Sequence, residues 1–214
     1  EVIDKKATAI DKITERYIQI QNSQTPYDVF ISYKETDAAG RRTADSYEAE
    51  KIYNCLTQRG KLKVFFSRET LKSIAGEEYE PYIFSALNSA KVMIVYGSNA
   101  DNIKSTWVKN EWQRFSYLQR NDSGKHLIPV LLNVEPKDLE GALSRFEAFD
   151  YGMRNAHDEL LSIVNKFVYG NSFDRVYEIS FKVENLVRHG LNLAAEGKLT
   201  ECFRTLKKAE KVDF

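Results

Sequence analysis

The chain has 214 residues, 43% apolar and 29% charged, a soluble globular mixture rather than a disordered one. Lys plus Arg number 31 and Asp plus Glu number 31, so the zero net charge offers no footprint for nucleic acid or an anionic membrane. No run approaches the ~18–20 consecutive apolar residues of a membrane span. No signal-peptide pattern opens the chain. Its two cysteines, Cys55 and Cys202, lack disulfide or metal-ligand spacing, which fits a reducing, cytoplasmic setting. Glu1, in place of a Met, reads as the start of an excised fragment.

Residues 1–20 place Ile3, Ala7, Ile10, Ile13 and Tyr17 near helical spacing, which predicts one amphipathic helix. The polar run 21–26 reads as a linker. YDVFISY, 27–33, is a buried strand by its Val, Ile and aromatic content. A helix follows over 43–59, stopped at Gly60. LKVFF, 62–66, is a second strand, and 78–89 a second helix with Pro81 in its first turn. VMIVYG, 92–97, is a third strand, and 105–120 a third helix with Ser105 as N-cap candidate. HLIPVLL, 126–132, is a fourth strand, FEAFDY, 146–151, a short fifth, and 156–168 a closing helix. Beyond Gly170 the pattern is purely helical, 175–195 and 199–211, broken at Gly197.

Strands alternating with helices give a parallel sheet. The strands are continuous apolar runs rather than alternating ones, so both sheet faces are covered. The prediction is an α/β, flavodoxin-like five-stranded parallel sheet with helices on both faces, plus flanking helices. The expected divisions are 1–26 (helix and linker), 27–170 (α/β domain) and 171–214 (helical hairpin). The hairpin's Gly190, Ala194, Gly197, Phe203 and Ala209 resemble one tetratricopeptide-type repeat; a plain helical extension fits equally. In such sheets ligands bind beyond the carboxyl ends of the strands, where the strand order switches.

YDVFISY at 27–33 resembles the first signature box of TIR (Toll/interleukin-1 receptor) domains. VFFSRETLKSIAGEEYEPYIFSAL at 64–87 resembles the second box with its long loop, and FEAFDYG at 146–152 stands where a third would fall. Trp107-Val108-Lys109-Asn110-Glu111 resembles the W-x-x-x-E sequence that opens the third TIR helix. Residues i and i+4 share one helix face, so Trp107 and Glu111 can address one pocket.

NAD-cleaving members of the family carry their essential glutamate there, so the resemblance implies Glu111 as the catalytic residue and NAD+ as substrate, with no separate cofactor. Breaking the nicotinamide–ribose bond leaves an oxocarbenium-like ribosyl cation, which a carboxylate stabilises as in glycosidases. Nicotinamide leaves neutral, so a strong general acid is dispensable. The structural alternative is a Trp and a Glu placed for packing and for the helix dipole.

By position, Tyr33 and Lys34 close the first strand, where relatives line the NAD pocket; Lys34 is a phosphate contact or a solvated loop residue. Arg41 and Arg42 are alternative cations for a pyrophosphate. Family members often have an acid where Ser67 stands, and Glu69 is the candidate to replace it. Tyr79 stacks on a ligand ring or packs. Asp28, polar in an apolar strand, caps backbone or pairs with a cation. Gly76 belongs to no G-x-G-x-x-G fingerprint, there is no P-loop, and His126, His157 and His189 lack ligand spacing, so no metal is expected.

Two functions compete. One is an NAD+ nucleosidase, hydrolase or ADP-ribosyl cyclase, activated by self-association with other TIR domains through the loop 67–78. Its style is that of microbial, NAD-depleting proteins, and by analogy antiphage defence. The other is a non-catalytic TIR–TIR adaptor in which Glu111 is a capping or surface residue.

Overall fold

The computed structural model describes residues 18–20, 26–74, 78–170, 183, 186–187 and 189–210. The chain divides into two compact units, Glu1–Val168 and Tyr169–Phe214.

The first unit is built on five strands: β1 (Val29–Ser32), β2 (Val64–Phe65), β3 (Val92–Gly97), β4 (His126–Leu131) and β5 (Phe149–Asp150). They form one sheet in the order β2-β1-β3-β4-β5, every neighbouring pair parallel. This is the flavodoxin-like order, with its switch point between β1 and β3. The helices are α1 (Ala44–Asn54), α2 (Ser67–Thr70), α3 (Glu80–Ser89), α4 (Ala100–Ile103), α5 (Thr106–Asn121) and α6 (Ala156–Tyr169).

Strand alternation sorts the core onto two faces. Val29, Ile31, Val92 and Ile94 pack with Ile52 and Leu56 of α1 and Leu160 and Val164 of α6. Phe30, Phe65, Met93 and Val95 face the other way, onto Ile83 and Leu87 of α3 and Trp112 and Phe115 of α5. Both faces are thus covered, which explains the unbroken apolar runs.

Polar caps finish the frame. The Thr43 hydroxyl accepts the Ser46 N–H and starts α1. Asp28 accepts the Lys63 N–H at 2.9 Å, tying β1 to the approach of β2; this is the backbone-capping role expected of it. Asp45, fully buried, accepts from Ser98 N and Oγ and from Asn102 Nδ2, and so locks α1 to the turn after β3.

Several boundaries differ from the sequence reading. The helix of 43–59 relaxes into a π-helical turn over Cys55–Arg59. The second strand keeps two of its five residues, because Ser67 starts the short α2 and a 3₁₀ turn over Leu71–Ile74 follows. Ser105 precedes α5 but its hydroxyl donates to Asn102 O, so it supplies no side-chain cap. The helix expected over 1–20 falls outside the described residues except at 18–20, which are helical.

In the second unit the described helix is α7 (Leu199–Glu210), preceded by helical residues 189–195. A Cβ on Gly190 would stand 2.7 Å from Leu206 Cδ2, so the absence of a side chain lets these two helical segments approach closely. Most of the expected 175–195 helix before residue 189 lies outside the described residues. No described helix is long and apolar enough to cross a membrane.

Candidate functional site

A cavity of about 480 Å³ opens at the carboxyl ends of β1 and β2, beside the switch point. Its lining brings together residues far apart in sequence: Tyr33 and Lys34 after β1, Ser67 after β2, Tyr79 before α3, and Trp107 and Glu111 of α5. Six of the residues singled out from the sequence therefore meet in one place. Glu69 does not. It points away and its carboxylate pairs with Lys72 at 2.7 Å, because the turn of α2 presents Ser67, not Glu69, to the cavity.

α5 explains how a carboxylate comes to lie at the bottom of this cavity. Val108, Trp112 and Phe115 anchor the helix in the core, and Glu111 falls on the same buried side, 8% exposed. Trp107, one turn earlier, stays 41% exposed at the cavity, whereas Trp112 is a core aromatic at 3%. The Ser32 hydroxyl, at the end of β1, donates to Glu111 Oε2 at 2.5 Å. Burial pushes the Glu111 carboxyl up to about 7, with hydrogen bonds from the Ser32 and Trp107 side chains working against that rise. A carboxyl poised near neutrality in a cleft is a mark of a functional group.

The mouth is held by a second carboxylate, Glu35. It accepts from the Tyr33 hydroxyl and from Arg68 Nη1, and Tyr33 also meets Ser67 Oγ at 3.0 Å. Burial and the neighbouring Glu35 raise the Tyr33 phenol, which stays neutral and serves as a hydrogen-bonding post. This network fastens the loop after β1 to the start of α2. The sequence does not single out Glu35, because its pairing depends on the meeting of two βα loops, which no local pattern reveals. Ser32 was missed too, although a serine ending an apolar strand is a visible signal.

Lys34 lines the cavity and, among the described residues, is its one lysine or arginine. Arg41 and Arg42, the alternative donors, turn elsewhere. Arg41 pairs with Asp37, and Arg42 donates to Ser46 and Glu50 and lies over the Tyr47 ring, 4.0 Å from its centroid. Tyr79 and Trp107, both half-exposed, form an aromatic wall. Among the described residues no three His, Cys, Asp or Glu side chains converge as a metal site would require.

The arrangement can take a polar organic molecule with a planar ring against the wall and a developing positive charge against Glu111. Residues 29–163 match the family model described as TIR domain. No curated protein matches the chain. Solved structures similar to it include a metazoan TIR-STING receptor from C. gigas, 24% identical over 80% of this chain and 53% of that one, TM-score 0.47. The same receptor in complex with 2',3'-cGAMP is 21% identical, covering 79% of this chain and 52% of that one, TM-score 0.49. The TIR domains of the activated Roq1 resistosome, which directly recognises the pathogen effector XopQ, are 20% identical over 66% and 83%, TM-score 0.40. The chain thus spans about half the length of the TIR-STING receptor it resembles.

Proposed function

The chain belongs to the TIR domain family, and from that premise we propose that it cleaves the nicotinamide–ribose bond of NAD+, with Glu111 as the catalytic carboxylate. The observation that carries this reading is the buried Glu111 carboxyl, set beside Trp107 in a cavity at the switch point of the parallel sheet.

The chemistry follows from charge. As the bond breaks, its electron pair leaves with nicotinamide, which becomes neutral, and positive charge builds on the ribose. An ionised Glu111 in a poorly hydrated site stabilises that charge far more than it would in water. Capture by water gives ADP-ribose and a proton; capture by a nucleophile within the molecule gives a cyclic product. Trp107 and Tyr79 offer planar faces to a ring, and Lys34 offers a point charge to the pyrophosphate. Association with other TIR domains, through the segment of about Ser67–Glu78, belongs to the same proposal.

The test is nicotinamide release from NAD+ at high protein concentration, by the wild type and Glu111→Ala. Release that vanishes in the variant, with the fold intact, establishes the reading. Equal release from both removes Glu111 from its role. Silence from both, in protein shown to self-associate, favours an adaptor.

A further inference from the structure

Ser32 is the one polar side chain of β1, and it is 1% exposed. Alternation along the strand turns it to the side of Phe30, towards α5. A buried hydroxyl without a partner is costly, and alanine would occupy this place without that cost. The hydroxyl's partner is Glu111 Oε2. The two residues differ in how firmly they are rooted. Glu111 has a long, rotatable side chain, and the Trp107 ring beside it is itself half-exposed. Ser32 has a short one, on a strand laddered to β3 with Ser32 opposite Val95.

We infer that Ser32 is a positioning residue: its hydroxyl ties one carboxylate oxygen of Glu111 to the rigid sheet and fixes the group's orientation at the cavity. This rests on the reading of Glu111 as the catalytic carboxylate. A functional group held by a second residue on a regular element is the arrangement that preserves reactive geometry, and a misplacement of about 1 Å costs roughly a hundredfold in rate. The hydrogen bond also favours the ionised carboxylate, against burial, which disfavours it. Among the described residues, the other titratable groups sharing the cavity are Tyr33, Lys34, Glu35 and Tyr79.

The experiment compares the wild type with Ser32→Ala, Ser32→Thr and Ser32→Val, using two readouts. The first is nicotinamide release from NAD+ across pH. The second is the ¹³C carboxyl titration of Glu111 in glutamate-labelled protein, assigned by its loss in Glu111→Gln, which needs no turnover. Ser32→Ala is expected to lower kcat about ten- to a hundredfold with KM within about threefold, and to move the Glu111 midpoint to higher pH. Thr and Val have the same shape; Thr, which keeps the hydroxyl, restores both readouts and Val does not. Unchanged kcat and midpoint in Ser32→Ala, or equal behaviour of Thr and Val, overturns the inference. A wild type that releases no nicotinamide removes the NAD+ reading alone. The titration then decides: a raised midpoint in Ser32→Ala upholds the tie, and an unchanged one overturns it.

Discussion

Tyr79 and Trp107 face each other at the cavity with ring centroids 6.0 Å apart and planes inclined at 59°. One precedes α3 and the other lies in the first turn of α5, so the fold alone brings them together. Their tilt leaves a ring face available on each.

Trp107→Ala therefore acts on binding before stability. An aromatic contact is worth about 1 kcal/mol beyond area, so KM for NAD+ is expected to rise roughly fivefold. The side chain is 41% exposed, and the thermal midpoint is expected to shift little. Steady-state kinetics beside a thermal melt separates the two effects; a large drop in melting temperature with KM unchanged would make Trp107 a packing residue.

Glu111 makes stability depend on pH in a defined window. Below about 4.3 the carboxyl is protonated in both folded and unfolded chains. Between there and about 7 the unfolded chain has lost its proton and the folded one keeps it, so stability falls as pH rises. Above that the penalty is constant, on the order of 3 kcal/mol. Glu111→Gln has no such slope. Urea unfolding of both proteins at pH 4.5 and 8 is expected to show the variant gaining that much relative to wild type at the higher pH. Parallel curves would mean that the carboxyl titrates normally.

Asp45 concentrates three hydrogen bonds on one buried carboxylate. Asp45→Ala leaves the Ser98 and Asn102 donors without their acceptor inside the protein, at a cost of about 3 kcal/mol. Denaturant midpoints measure it. A loss below about 1 kcal/mol would show that water or a rearranged Ser98 turn replaces the carboxylate.

Glu35 and Arg68 are each about one-third exposed at the side chain, so their ion pair contributes about 1 kcal/mol at most. Its role is local order. Glu35→Ala releases the Tyr33 hydroxyl and Arg68 together, and amide exchange is expected to quicken in Ser67–Ile74 while β3 and β4 stay protected. Unchanged exchange there would detach α2 from this network. Hydrogen-exchange mass spectrometry reads both segments in one experiment.

Continuous apolar runs made β3 and β4 legible almost to the residue, since a strand buried on both faces has no polar position to blur it. The four-residue helices Ser67–Thr70 and Ala100–Ile103 left no trace, because they span barely one turn and carry no period. The π-helical turn at Cys55–Arg59 is invisible for a similar reason: its apolar spacing fits an α-helix as well. At the site, Trp107 and Glu111 were singled out by their resemblance to the W-x-x-x-E sequence of TIR domains; the i, i+4 spacing says only that they share a helix face, which packing would explain as well. That Glu35 lines the cavity and Glu69 does not depends on how two separate loops meet, and that is a property of the assembled sheet.

The sheet tapers. Its interior strands β1, β3 and β4 run four, six and six residues, and its borders, β2 and β5, run two each. A border that short exposes very few free backbone donors and acceptors, so it makes a poor template for a strand from another chain. Any filament or ring of such domains must then be stitched by side chains from helices and loops, which point substitutions can undo without touching the sheet.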